Sequence, residues 1–239
     1  MSLAAEISRR IGRATSTMGK LSKRVWENNK LTTNTKTAVY TACVLTTLLY
    51  GSETWTTYSQ QEQRLNTFHL RCLRRILHIT WQDRVPNEEV LERANTQSMF
   101  ALLSQRRLRW LGHVHRMEEG RLPKDVLYGE LAVGSRPIGR PMLRFKDVCK
   151  RDLKAAKIDP NTWETAAKDR SSWRLAVKKG TREAEDRRKE KWQQKRERRK
   201  ARADSAPSLS SPFTCEHCDR DCLSRIGLFS HTRRCSAAN

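Results

Sequence analysis

Residues 6–25 read EISRRIGRATSTMGKLSKRV, and the spacing within them decides the fold class. Ile7, Ile11, Ala14, Met18, Leu21 and Val25 recur at alternating intervals of four and three, which stacks them on one face of a helix. Arg9, Arg10, Arg13, Lys20, Lys23 and Arg24 occupy the remaining face, and Asn28 and Asn29 supply a stop. The period returns over residues 35–50 through Val39, Cys43, Leu45, Leu48 and Leu49, closed by Gly51. Ser59, with Glu62 three residues on, forms the pattern of a capping box. The helix it opens carries Leu65, Phe68, Cys72, Leu73, Ile76 and Ile79 inward and Arg64, Arg71, Arg74 and Arg75 outward.

Further helices are expected over 87–94 behind Pro86 and over 98–117. The latter has Phe100, Leu103, Leu111 and Val114 on one side and Arg106, Arg107 and Arg109 elsewhere. Gly134, Pro137, Gly139 and Pro141 break regular structure, so 120–141 reads as a loop with room for a short hairpin. Helical pattern resumes over 143–156, 161–167 and from 171 onward. Residues 181–203 contain almost nothing apolar except Trp192 and alanines, so they form either a charged single helix or a disordered arm. Residues 206–212, rich in Ser and Pro, form a linker. The expected fold class is mostly α.

The chain of 239 residues carries 48 Lys+Arg against 26 Asp+Glu, a formal charge of +22. A surplus of this size calls for a polyanionic partner, and nucleic acid fits better than an acidic membrane. The longest apolar run, 38–49, is interrupted by threonines and falls far short of the roughly 20 residues that cross a bilayer. No secretory signal pattern opens the chain, so no membrane partner is expected. The seven cysteines are odd in number and four of them cluster at the C-terminal end, unlike a secreted disulfide framework. An intracellular chain follows, with the nucleus favoured over the cytoplasm. Five tryptophans, at 55, 81, 110, 163 and 173, lie in or beside helical patterns and are read as packing residues. His113 and His115 flank Val114 after Gly112, but no Cys or carboxylate pair completes a catalytic or metal site with them.

The C-terminal pattern is Cys215-x2-Cys218-x12-His231-x3-Cys235. Zinc takes four N or S ligands at tetrahedral corners. A Cys-x2-Cys knuckle supplies one pair, and His231 and Cys235, four apart, project from one face of a helix. Phe213 and Leu228 supply apolar support. A unit this small takes its folding energy from the metal, and four protein ligands make the zinc structural. Cys222 stands where such fingers carry a core residue, and a rearranged site using Cys222 in place of Cys235 remains open. His217 points away from the metal in this geometry. The helix positions that would reach base edges are Ser224, Gly227 and Ser230, none capable of bidentate base contact. Ile226 and Phe229 face outward among Arg225, Arg233 and Arg234, which suits backbone contact, base stacking or a protein partner. A passive folded cap is the plainer alternative.

Beyond composition, the ordered motifs resemble the C-terminal end of the polyprotein of LINE-type (non-LTR) retrotransposons. They are Glu6-Ile7-Ser8-Arg9-Arg10-Ile11-Gly12-Arg13-Ala14, Lys36-Thr37-Ala38-Val39-Tyr40, Leu49-Tyr50-Gly51-Ser52-Glu53-Thr54-Trp55 and Leu73-Arg74-Arg75-Ile76-Leu77. Next come Arg107-Leu108-Arg109-Trp110-Leu111-Gly112-His113-Val114, Gly139-Arg140-Pro141 and Asp169-Arg170-Ser171-Ser172-Trp173-Arg174. The finger follows them where such elements carry one. The resemblance implies a thumb-like helical region at 1–57, a helical linker region at 58–120, a loop plus helices at 121–180, a charged arm and Ser/Pro linker at 181–212, and a ββα-type zinc finger at 213–239. Nothing resembles the polymerase palm, whose paired aspartates bind two metal ions; Asp83, Asp125, Asp147, Asp152 and Asp159 stand apart. The nuclease domain is not matched either, so no enzyme activity is expected.

The resemblance thus implies a non-catalytic remnant that grips RNA or DNA by its phosphates. The expected contacts are Arg9, Arg10, Arg13, Lys20, Lys23, Arg24, Arg74, Arg75, Arg107, Arg109, Arg140, Arg233 and Arg234. A protein-interaction module centred on the finger, and a relic with no function of its own, are the rival readings.

Overall fold

The first amphipathic stretch forms α1 (Leu3–Lys20), opened by Ser2, whose hydroxyl accepts the Ala5 N–H at 3.3 Å. The computed structural model describes residues 2–129, 139, 142–204, 213–222 and 224–235. The chain divides into two compact units, Met1–Lys189 and Glu190–Asn239. Among the described residues the architecture is helical throughout, with a single antiparallel bridge between Thr214 and Asp221.

In the first unit α1 is followed by a π-helical turn, Ser22–Trp26, that swings the Trp26 indole into the core. Its Nε1 donates to the Met18 carbonyl at 2.7 Å, and the buried Lys36 ammonium donates to the Trp26 carbonyl at 2.8 Å. The next helix runs as α2 (Thr33–Val39), a π-helical stretch Tyr40–Leu45 and α3 (Thr46–Leu48). Threonine hydroxyls explain the wide middle, since Thr41 and Thr47 donate back to the carbonyls of Thr37 and Cys43 and such back-bonding competes with the regular ladder. Gly51 turns the chain with φ +74°, a left-handed conformation that glycine adopts at no steric cost.

α4 (Ser59–Ile76) is the central helix. It begins differently from the capping-box expectation: Tyr58 is the N-cap, with its N–H donating to Gln61 Oε1 at 3.0 Å. Glu62 is thereby released from capping and is buried. Glu62, Asn66 and His69, spaced i, i+4, i+7, form a polar stripe inside an otherwise apolar interface. Around α4 pack α1, α5 (Asn87–Arg93) and α6 (Met99–His115), closing a core that draws on residues from Ile7 to Leu103. The apolar face of α1 is therefore covered within the chain itself.

A second core joins Leu108 and Leu111 of α6 to Cys149 and Leu153 of α8 (Phe145–Ala155), Trp163 and Ala167 of α9 (Trp163–Lys168), and Trp173 and Val177 of α10 (Arg170–Asp204). Trp173 presses against Gly112, where a Cβ would lie 2.2 Å from the indole nitrogen, and it donates to the Leu108 carbonyl at 2.9 Å. Burial pushes the thiols of Cys72 and Cys149 up to about 12, so both pack as neutral groups.

Two expectations are corrected here, and one open choice is decided. Residues 122–128 are helical (α7, Leu122–Tyr128) rather than loop, because Pro123 sits in the first turn, where a missing N–H costs nothing. The rest of the Gly/Pro-rich segment, apart from Gly139, lies outside the described residues as far as Pro141. Trp81 is 86 % exposed on the turn after α4, unlike the buried Trp55, Trp163 and Trp173. Of the two readings of the charged stretch, the helix is the one observed, as part of α10, and its start is not free. Thr181 is buried, and Glu185 accepts the Ser98 N–H at the mouth of α6 at 2.6 Å.

The His69 ring is buried, its Nδ1 accepting from the Tyr40 hydroxyl at 2.8 Å and its Nε2 donating to the Gln97 carbonyl at 3.1 Å. Burial lowers its pKa to about 4. The unfolded chain, with an imidazole pKa of about 6.5, binds the extra proton first as pH falls, so stability is lost between about 6.5 and 4. At pH ~4.5 this single group costs about 2.5 kcal/mol. Denaturant titrations of wild type and His69→Gln at neutral and acid pH check this. The variant is expected to lose that part of the slope, and equal slopes would contradict the assignment.

Candidate metal centre and basic surfaces

In the second unit the chain folds back on itself at the knuckle. The Cys215 N–H donates to the Arg220 carbonyl at 3.0 Å, the Cys222 N–H to the Phe213 carbonyl at 2.9 Å, and the Asp219 N–H to the Cys215 carbonyl at 2.9 Å. Asp219 takes φ +53°, a turn conformation that Asp tolerates. Ser224 then opens α11 (Arg225–Cys235), its hydroxyl accepting the Gly227 N–H at 3.1 Å. This brings His231 and Cys235 over the knuckle.

Cys215, Cys218, His231 and Cys235 present ligand atoms that all lie within 4.8 Å of one another, with Cys218 Sγ and His231 Nε2 at 3.1 Å. Ligands at ~2.3 Å from one ion on tetrahedral corners stand about 3.8 Å apart, so the four can hold a metal ion. The electrostatics agree. The His217 backbone N–H holds the Cys215 thiol below its usual range, while the adjoining Cys218 pushes Cys235 up to about 11. Crowding of this kind is relieved when a cation takes the place of the thiol protons. Cys222 is buried and stands apart from the four, so the cluster is built with Cys235. His217 is exposed.

The predicted phosphate contacts differ in their surroundings. Arg13, Lys20, Lys23 and Arg24 are exposed on or just after α1 and make no ion pair among the described residues. Arg234 on α11 is likewise exposed, and Arg233 lies over the Phe229 ring with its Cζ 5.7 Å from the centroid. Others have local partners. Arg9 and Arg10 both bond Glu6, Arg74 bonds the Val85 carbonyl and Asn87, and Arg75 bonds Ser22 and lies 3.5 Å from Glu27. Arg109 is exposed and makes no ion pair among the described residues. Arg140 lies outside the described residues.

Arg107 must be withdrawn from the list. It is 1 % exposed and spends its donors inside the protein. Nε donates to Asp152 at 2.7 Å, Nη1 to the Thr57 hydroxyl at 2.9 Å and Nη2 to Glu62 at 3.2 Å. Thr57 and Arg151 also donate to Glu62 Oε1, at 2.6 and 2.7 Å. The network clamps α4, α6 and α8 together, and its burial holds the Arg107 guanidinium out of reach of a phosphate.

His115 does find a carboxylate by way of the fold. Its Nδ1 meets the Tyr128 hydroxyl at 2.8 Å, which donates to Glu164 at 3.0 Å. Desolvation, then Glu164, raises the Tyr128 pKa, so the phenol keeps its proton and the chain of bonds docks α7 on α6 and α9. Arg116, Arg170 and Arg174 escaped the sequence reading because they join one surface only after α6 and α10 pack.

No family model and no solved structure matches the chain. It is similar to a transposon-derived protein of Caenorhabditis elegans, 26 % identical over 150 residues, which make up 60 % of this chain and 54 % of that protein. The chain thus spans about half the length of the relative it matches. Helical architecture, a Cys3His cluster able to hold a metal ion, and likeness to a transposon-derived protein together suggest a transposon origin.

Proposed function

We propose that this protein is a non-catalytic, nucleic-acid-binding remnant of a retrotransposon reverse transcriptase polyprotein, carrying one structural zinc ion and acting in the nucleus. The observation that carries the reading is the set of basic side chains at Arg13, Lys20, Lys23 and Arg24, exposed and without an ion pair among the described residues, in a chain of charge +22. Cations left without carboxylate partners on a helical surface suit the regularly spaced charges of a phosphate backbone. The likeness to a transposon-derived protein supports the origin. The Cys3His donor set favours zinc, whose tetrahedral preference and affinity for thiolate and imidazole match it. Among the described residues no helix is long and apolar enough to cross a membrane.

The test is a mobility-shift titration of RNA and DNA at several salt concentrations. Four phosphate contacts predict a loss of about 50- to 150-fold in affinity between roughly 50 and 200 mM salt. Affinity indifferent to salt, or no binding below micromolar protein, would overturn the reading.

A protein-interaction role for the finger rests on a separate observation, the 80 % and 65 % exposure of Ile226 and Phe229 on α11. Replacing both by Ser would then remove a protein partner from pull-downs while nucleic-acid affinity is retained.

A further inference from the structure

Two of the sequence strings quoted above, 107–114 and 169–174, lie far apart in the chain and are not explained by the metal cluster. The fold brings them together. Trp173 of the second donates its indole N–H to Leu108 of the first and rests on Gly112. On α6, Arg109, His113 and Arg116 follow at i, i+4 and i+7, and on α10, Arg170 and Arg174 follow at i and i+4. Each set therefore lines one helix face. The two faces border a hollow of about 350 Å³ lined by Arg109, His113, Arg116, Arg170, Trp173 and Arg174.

We propose that this hollow is a phosphate-binding pocket that seats the backbone of a nucleic-acid strand, an assignment that rests on the nucleic-acid reading above and locates it. No carboxylate lines the hollow among the described residues. Arg109, Arg170 and Arg174 have no ion-pair or hydrogen-bond partner for their guanidinium groups there, and Arg116 spends one donor on the Ala167 carbonyl. Asp169, next to Arg170 in the chain and within the field of Arg116, is engaged as the cap of α10, accepting the N–H groups of Ser171 and Ser172. Glu53 belongs to the adjoining shallow hollow, with Arg106, Arg109, Trp110 and His113.

The residues are crowded: partial burial, then the charges of Arg174 and Arg106, hold the Arg109 guanidinium below its usual range. Like charges held together without a counter-charge are unfavourable, and an anion seated among them relieves the repulsion. Trp173 is buried and hydrogen-bonded, so it forms the floor of the pocket rather than a stacking platform. Planar guanidinium forks converging from two helices suit phosphate oxygens better than any base edge.

The experiment compares full-length wild type with Arg109→Ala/Arg174→Ala and with a charge-matched control, Lys154→Ala/Lys157→Ala, whose side chains are exposed outside the hollow. The probes are a labelled single-stranded RNA and a DNA duplex of equal length, each titrated across salt. Melting curves confirm folding, and Arg109→Gln/Arg174→Gln keeps the side-chain stems should the alanine pair fail to fold. The expected result is a loss of at least about tenfold in affinity and a salt slope shallower by roughly 1.5 to 2 for the pocket variant, with the control near wild type. A loss confined to one probe assigns the pocket to RNA or to duplex DNA; a loss with both assigns it to the shared phosphodiester. Equal effects of pocket and control variants overturn the pocket while leaving the functional reading standing. Failure of the wild type to bind either probe overturns both.

Discussion

Stripping the metal from the finger with a chelator is expected to unfold residues 213–235 completely. Among the described residues of that stretch only Cys215 and Cys222 are buried, while Phe213 and Leu228 are half-buried, so little apolar surface is left to hold the unit. Structural zinc supplies apparent binding energies of about 10–16 kcal/mol in peptides of this kind at neutral pH, far more than such a core can offer. If the proposed zinc is held by Cys215, Cys218, His231 and Cys235, Cys218→Ser and His231→Ala should each lower the metal content and remove the amide dispersion of α11. Cys222→Ser, which leaves the four ligands intact, should keep both. Metal analysis together with amide spectra reads the outcome. An ordered α11 after chelation, or zinc lost from the Cys222 variant alone, would contradict the assignment.

Arg107→Ala is expected to cost the first unit about 3–5 kcal/mol, because it strands buried carboxylates that had shared one guanidinium. Glu62 would keep Thr57 and Arg151, but Asp152 would keep only Arg151 Nε at 3.6 Å. Arg107→Lys should rescue little, since one ammonium cannot reach three acceptors set around a planar fork. A triple replacement, Arg107→Met with Glu62→Met and Asp152→Leu, should recover much of the loss, because it removes the charges together rather than leaving some unpaired. Denaturant melts of the four proteins test this. A change below about 1 kcal/mol for Arg107→Ala would show that the network contributes nothing to stability. The same variant, if folded, should bind RNA as wild type does, which separates this arginine from Arg109 two residues away.

These two predictions differ in how far the sequence foresaw them. The four metal ligands are spaced along the chain at intervals that local geometry alone can close, a tight knuckle and one helical turn. Arg107 lies in the same run of basic residues as Arg106 and Arg109, and nothing in its neighbours marks it as internal. Its acceptors come from residues 45 or more positions away in both directions. Likewise Glu62 reads as half of a capping box until the start of α4 moves to Tyr58. His69 reads as one polar residue on a helix until the backbone of Gln97 arrives to accept its proton.

By itself the sequence determined the helices and the cysteine–histidine cluster, because the helical repeat and the two ligand pairs, three and four residues apart, are local, and the twelve residues between the pairs are enough to fold one back on the other. Only the tertiary structure decided which basic residues are surface and which are core. It also decided that two distant arginine stripes share one hollow on either side of Trp173. The reason is that helical periodicity says which residues share a face, while which face meets which neighbour depends on contacts between elements remote in the chain.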